Sequence, residues 1–323
     1  MIQKKFLRLP ISGIIVSDSP FFIPSLEPLE ALTLSLQKLG QLTPVYVQSY
    51  KQSYRLVTGF KRLDALKQTS MEYIDCYLLS QTISDLALFE FVLEENRVQR
   101  DFNVIEISHI LARLSETYKL PRRSIIDNYL PLLGLGRREK LYQVYISLRK
   151  LPLAWKRALI EDVVSPELAW KMSKAEEESR ALFLDMVFIL RLNKKLQKEF
   201  WHLLRDIASS KACRIGEIIQ QTDFQNILHH IKLTPQQKAS KVKDHLIRLR
   251  YPQYSQVQDR LDGLLKKFKL PPTVRIQPSP FLSDDIFHFY FRAKTTEEYI
   301  EHLDRLNHLA EKEKIDQLFE LVK

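Results

Sequence analysis

Apolar positions change their period twice along this chain of 323 residues. From Lys5 to Val16 the pattern predicts a first strand and loop. Ser25 with Pro28 predicts the opening of a helix whose Leu29, Leu32, Leu36 and Leu39 share one face, and Gly40 closes it. Short strands are predicted at Val45–Gln48 and Tyr54–Val57, then a helix over Phe60–Lys67 and a strand at Tyr73–Leu79. From Ser84 the spacing becomes helical, through Leu86, Phe89 and Leu93 and again through Ile107, Ile110, Leu111 and Leu114. Helices continue to about residue 232. The C-terminal stretch is mixed again: a helix over Gln256–Phe268 stopped by Pro271 and Pro272, strands at Thr273–Gln277 and Ile286–Phe291, and a helix capped by Thr295 and Thr296. The predicted fold class is α+β in three parts: a small mixed domain over 1–106, an all-helical domain over 107–232, and a linker with a C-terminal domain over 233–323.

Composition narrows the class. Hydrophobic residues at 45% and charged residues at 27% are ordinary for a globular chain. The longest apolar stretch, Ala181–Leu190, is interrupted by Asp185 and is too short to span a bilayer. The apolar run Ile11–Val16 is too short for a secretory signal. Two cysteines, Cys76 and Cys213, exclude a disulfide scaffold and a four-thiolate zinc site. A cytoplasmic chain with no membrane partner is expected. Only seven glycines occur, with no Walker-type loop and no complete dinucleotide fingerprint, which excludes P-loop and Rossmann enzymes.

Charge adds a location. The net charge is +10, distributed as −1 over residues 1–110, +8 over 111–232 and +3 over 233–323. Between Lys119 and Arg157 stand ten cations and two anions, the footprint of a polyphosphate partner. Two stretches of the first third carry candidate chemistry. In Val57-Thr58-Gly59-Phe60-Lys61-Arg62-Leu63, a glycine turn leads into a helix that opens on two cations. Cations there oppose the helix dipole, at about 0.3–1 kcal/mol each, unless an anion lies between, and the outward amides themselves accept phosphate. In Glu94-Glu95-Asn96, carboxylate and amide oxygens beside a triphosphate could hold Mg²⁺.

The order of these pieces resembles the ParB family of chromosome and plasmid partition proteins. Three boxes carry the resemblance: Leu39-Gly40-Gln41-Leu42-Thr43-Pro44-Val45-Tyr46-Val47, Val57-Thr58-Gly59-Phe60-Lys61-Arg62-Leu63-Asp64-Ala65, and Glu95-Asn96 through Asp101-Phe102-Asn103-Val104-Ile105-Glu106. The resemblance implies an N-terminal ParB/sulfiredoxin-like domain that binds CTP with Mg²⁺ and closes as a clamp on DNA. It places Thr43, Gly59, Lys61, Arg62, Glu95 and Asn96 at the nucleotide, with Glu95 and Asn96 at the metal. Phe60 stands where that family has glutamate, and where sulfiredoxin has its cysteine, which excludes the latter activity. Gln99 stands at an arginine position. These departures predict weak nucleotide binding and at most weak CTP hydrolysis.

In the basic middle, Ser124–Leu130 is predicted as a short helix, Pro131 and Gly134-Leu135-Gly136 as a turn, and Arg137–Leu148 as the next helix. Leu141, Val144, Tyr145 and Leu148 follow i, i+3, i+4, i+7 and are expected in the core. That leaves Arg137, Arg138, Lys140, Gln143 and Ser147, with Arg122 and Arg123 ahead of them, for double-stranded DNA in a helix-turn-helix arrangement. The C-terminal helix–strand–strand–helix resembles the family's dimerisation domain. Ile286–Phe291 is apolar on both faces, and a lone hairpin is marginal, so a homodimer is expected. The resulting expectation is a dimeric, nucleoid-associated partition protein, with a ParA-type ATPase as a further partner. The rival readings are a related transcription regulator without nucleotide switching, and a ParB-like nuclease or phosphotransferase.

Overall fold

The computed structural model describes residues 4–17, 19–69, 71–268, 270–279, 286–311 and 315–320. The chain divides into two compact units, residues 1–176 and 177–323.

The first unit opens on a mixed five-stranded sheet of order β1-β5-β3-β4-β2. Its strands are β1 (Lys4–Pro10), β2 (Ile14–Ile15), β3 (Val45–Tyr50), β4 (Ser53–Thr58) and β5 (Tyr73–Leu79). β1 runs antiparallel to β5 and β3 antiparallel to β4, while β3–β5 and β2–β4 are parallel. Parallel neighbours need a crossover, and between β3 and β5 the chain crosses by way of β4 and α2 (Phe60–Lys67). α1 (Glu30–Leu39) packs on α2. It ends on Gly40, whose φ of 71° is the left-handed conformation of a helix terminator. Of the stripe predicted for α1, Leu36 is buried, Leu29 and Leu32 are half-buried and Leu39 is exposed.

The other face of the sheet is covered by helices. α3 (Asp85–Gln99) is capped by Ser84, and α4 (Val104–Ala112) opens on a capping box of Asn103 and Glu106. Ile107, Ile110, Leu111 and Leu114 are all buried, as the spacing predicts. One buried cluster joins Val57 and Leu79 of the sheet to Leu88, Phe89, Ile110, Ile125 and Tyr142. The expected boundary at 106/107 therefore falls inside a shared core, and that at 232/233 falls inside the second unit.

Residues 122–132 form one helical rod: α5 (Arg122–Ser124), a π-turn over Ile125–Tyr129, and α6 (Leu130–Leu132). Pro131 lies within this rod and not in the turn that its identity predicts. The wider π-turn before it gives the ring room that an α-turn would deny. α7 (Glu139–Ser147), α8 (Leu153–Ile160) and α9 (Pro166–Met172) complete the unit. On α7 the buried positions are Tyr142 and Val144, with Leu148 just beyond. Val144 and Leu148 are thus buried as predicted, Leu141 and Tyr145 are half-buried, and Tyr142 is buried without having been predicted.

In the second unit, α10 (Glu177–Leu190), α11 (Lys194–Lys211), α12 (Ile215–Ile219), α13 (Thr222–Leu228) and α14 (Pro235–Arg250) precede α15 (Pro252–Phe268). β6 (Val274–Pro278) and β7 (Phe287–Phe291) then pair antiparallel, followed by α16 (Thr296–Glu311) and α17 (Asp316–Glu320). A cluster of Leu261, Phe268, Ile276, Phe287 and Leu309 holds the hairpin to its helices. Ile286, Phe289 and Tyr290 stay exposed. Among the described residues no helix is long and apolar enough to cross a membrane.

Candidate nucleotide cavity and DNA-facing surface

The cavity is built around Gly59. β4 must stop and α2 begin within one residue, and Gly59 turns the chain at φ 99°. A Cβ there would lie 2.5 Å from Cγ1 of Val45, so only glycine fits. Leu63 N donates to the Gly59 carbonyl at 3.0 Å, and no side chain caps the helix start. The amides of Phe60, Lys61 and Arg62 therefore lack an intrahelical acceptor, and they open on a cavity of about 410 Å³. Thr43, Gly59, Lys61, Arg62, Glu95 and Asn96, drawn from three separate boxes of sequence, all line it.

Each polar group has a local reason for its position. Gln41 pins the loop ahead of β3 by bonding both the N–H (2.7 Å) and the carbonyl (2.8 Å) of Asp75. That loop offers the carbonyls of Thr43 and Pro44 to Nη1 of Arg62, at 2.9 and 2.8 Å. Burial lowers the Arg62 pKa, opposed by Glu95, whose carboxylate is 3.6 Å away. Glu95 also accepts from Thr58 Oγ1 and from Gln99 Nε2, both at 3.0 Å. Asn96 gives its amide N–H to the Val92 carbonyl at 2.8 Å, so Oδ1 is its atom for a cation. Lys61 pairs with Glu27, a contact that holds the Glu27 carboxyl below its ordinary range. Arg100 pairs with Glu106, and that hydrogen bond raises its own pKa.

Sequence reasoning missed part of this lining. Phe21, Ile23 and Ser25, from the segment before α1, form one wall, and Phe60 packs on Phe22 with ring centres 5.1 Å apart. No periodic signal marks that segment, because its positions are fixed by contacts far along the chain. Ser19 Oγ donates to the Leu56 carbonyl at 3.3 Å and the Tyr118 hydroxyl to the Pro20 carbonyl at 3.0 Å. Among the described residues no cluster of three or more His, Cys, Asp or Glu gathers to hold a metal by itself. Burial lifts the Cys76 thiol to about 12, which removes it as a nucleophile near neutral pH.

The basic surface lies on the rod 122–132, a turn at 133–138, and α7, which packs against α4. Gly134, at φ 75°, begins that turn. Arg122 pairs with Glu139 and lies 5.0 Å over the Tyr142 ring, and Arg123 pairs with Asp127 at 2.7 Å. Gln143 is exposed, and Ser147 is half-buried with its hydroxyl donated to the Val144 carbonyl at 2.7 Å. Arg137, Arg138 and Lys140 are exposed at the start of α7, which no side chain caps. Among the described residues these three have no ion-pair partner.

Residues 3–97 match the family model of the ParB N-terminal domain. Of similar proteins, the chromosome-partitioning protein ParB of Myxococcus xanthus is 29% identical over 140 residues, covering 40% of this chain and 47% of that protein. The nucleoid occlusion protein of Bacillus subtilis is 24% identical over 166 residues, covering 50% of this chain and 56% of that protein. The chain thus spans about half the length of these relatives. A solved structure, that of C-terminally truncated chromosome-partitioning protein ParB from Caulobacter crescentus complexed to the centromeric parS site, is 20% identical. It covers 60% of this chain and 97% of that one, with a TM-score of 0.36. Residues 3–97 thus form a domain of the ParB N-terminal family.

Proposed function

We propose that this protein binds double-stranded DNA as a ParB-like partition factor, through the helix-turn-helix formed by residues 122–147. The observation that carries this is the group Arg137, Arg138 and Lys140, exposed and unpaired among the described residues at an uncapped helix start. Three cations there oppose the dipole of α7, and a backbone phosphate between them and the helix amides removes that conflict. Glu139, the one acid of that first turn, is already taken up by Arg122. The partition role rests on the relatives' names, and a dimer formed through the C-terminal hairpin is part of the same proposal. In it, segments 1–106, 107–232 and 233–323 divide the work as nucleotide, DNA and dimerisation regions.

The cavity fits a nucleoside triphosphate such as CTP. It offers amide donors, Lys61 and Arg100 for phosphates, apolar walls from Phe21 and Phe102, and oxygen ligands on Glu95 and Asn96. Bound CTP–Mg²⁺ would supply a charge-dense anion that joins α2 to α3. With only Glu95 and Asn96 as protein ligands, Mg²⁺ would complete its shell from phosphate and water. Turnover is expected to be slight, because Phe60 supplies a ring where a carboxylate is needed and Gln99 is spent on Glu95. A regulator without nucleotide switching is the second reading. It is favoured by the fact that Lys61, Arg62 and Arg100 all have acidic partners within the chain. Isothermal titration with CTP and Mg²⁺, with and without DNA, separates the two. Saturable binding supports the switch, and none over the millimolar range leaves the regulator.

A further inference from the structure

The cation nearest the uncapped start of α2 is occupied by the protein's own carboxylate. Glu27 lies on the segment between β2 and α1, which is anchored at its beginning by Ser19, Pro20 and Phe22, the last through Arg113 Nη2 on its carbonyl at 3.2 Å. The segment crosses the cavity mouth, with Ile23 and Ser25 in the lining. Ser25 Oγ accepts from the Glu27 N–H at 3.3 Å, turning the chain there, and the Glu27 carboxylate accepts from Lys61 Nζ. Arg100, which also lines the cavity, attracts the same carboxylate. The Lys61–Glu27 pair is half-exposed, with side chains 33% and 49% accessible.

We propose that Glu27 is an internal competitor for the phosphate subsite, a carboxylate that neutralises Lys61 until a polyphosphate displaces it. This rests on the reading of the cavity as a triphosphate site. An exposed ion pair is weak and screened by water, so a triphosphate can displace it. It nonetheless costs a ligand part of the Lys61 interaction, because Lys61 lines the cavity and its ammonium is held by Glu27. Displacement would also free the Glu27 end of the segment from α2, while Phe22 stays packed on Phe60. Glu30, three residues further on, begins α1, is exposed and, among the described residues, makes no ion pair. It serves as a charge control.

The test is calorimetric titration of the full chain with CTP and Mg²⁺, and separately with inorganic triphosphate, in wild type, Glu27→Gln, Glu30→Gln and Lys61→Ala. Glu27→Gln should bind both ligands about 2- to 5-fold more tightly than wild type, Glu30→Gln should match wild type, and Lys61→Ala should lose most affinity. If Glu27→Gln binds no more tightly while Lys61→Ala still loses affinity, the competitor is refuted and the phosphate site stands. If Lys61→Ala binds as well as wild type, or neither ligand binds wild type or Glu27→Gln, the site and its competitor both fall.

Discussion

Arg100 and Glu106 form a bidentate ion pair, with both nitrogen–oxygen distances at 2.7 Å and the Glu106 side chain only 1% accessible. The same carboxylate accepts from the Asn103 amide at 3.0 Å, closing the capping box of α4. One side chain thereby ties the end of α3 to the start of α4 beside the cavity. Removing one partner strands the other charge, which is costly in proportion to burial. Arg100→Met should lower stability by about 2–4 kcal/mol, read as a reduced urea midpoint with unchanged slope. A loss under about 0.5 kcal/mol would mean the pair is incidental.

Gly59 and Gly134 both have positive φ, at 99° and 75°, but only Gly59 is crowded, since nothing lies within 4 Å of a Cβ at Gly134. Gly134→Ala should therefore cost only the left-handed strain, about 1–2 kcal/mol. Gly59→Ala adds the collision with Val45 and should cost roughly 2–4 kcal/mol, with loss of any ligand in the cavity. Thermal melts of the two variants give the comparison directly, and equal costs would contradict the crowding.

His109, on α4, is held neutral. Burial, then the charges of Lys156, Arg149 and Arg113, lower its pKa from 6.5 to about 4. Between those values the unfolded chain binds more protons than the folded one, so this residue makes stability fall as pH drops from about 6.5 towards 4. Denaturant unfolding at pH 7 and pH 5 should show a smaller acid-side loss in His109→Gln than in wild type. Identical losses would place the acid sensitivity elsewhere.

On the hairpin, Phe289 and Tyr290 are exposed on opposite sides of a two-stranded sheet. The proposed homodimerisation through this sheet would cover them. Sedimentation should find wild type dimeric at micromolar concentration and Phe289→Glu shifted to monomer. A wild type that is monomeric there would remove the dimer.

Much of this arrangement was legible from spacing. The α4 positions Ile107, Ile110, Leu111 and Leu114 are buried because a helix on a sheet needs one continuous apolar stripe. Gly59 could be found because a strand-to-helix turn within one residue demands it. The contacts that define the cavity mouth were not legible, since Glu27 meets Lys61 34 positions away and no periodicity relates them. Glu106, the last residue of the third box, folds as the partner of Arg100, a pairing that no periodicity announces. Tyr142 was missed because it is buried by joining the cluster of Ile110, Ile125 and Tyr129 and by lying under Arg122, contacts that the spacing along α7 does not announce.

The central claim is that DNA is held at the start of α7, and the salt dependence of binding tests it most directly. The full chain is required, because a cut at 106/107 would split the core shared by Val57, Leu79 and Ile110. Fluorescence anisotropy with duplex DNA should give a linear log–log dependence of affinity on salt, with a slope of about −0.9 per phosphate neutralised. Replacing Arg137, Arg138 and Lys140 together by alanine should weaken binding at every salt concentration and flatten that slope by roughly 2–3. An unchanged slope and affinity in the triple variant would contradict the account.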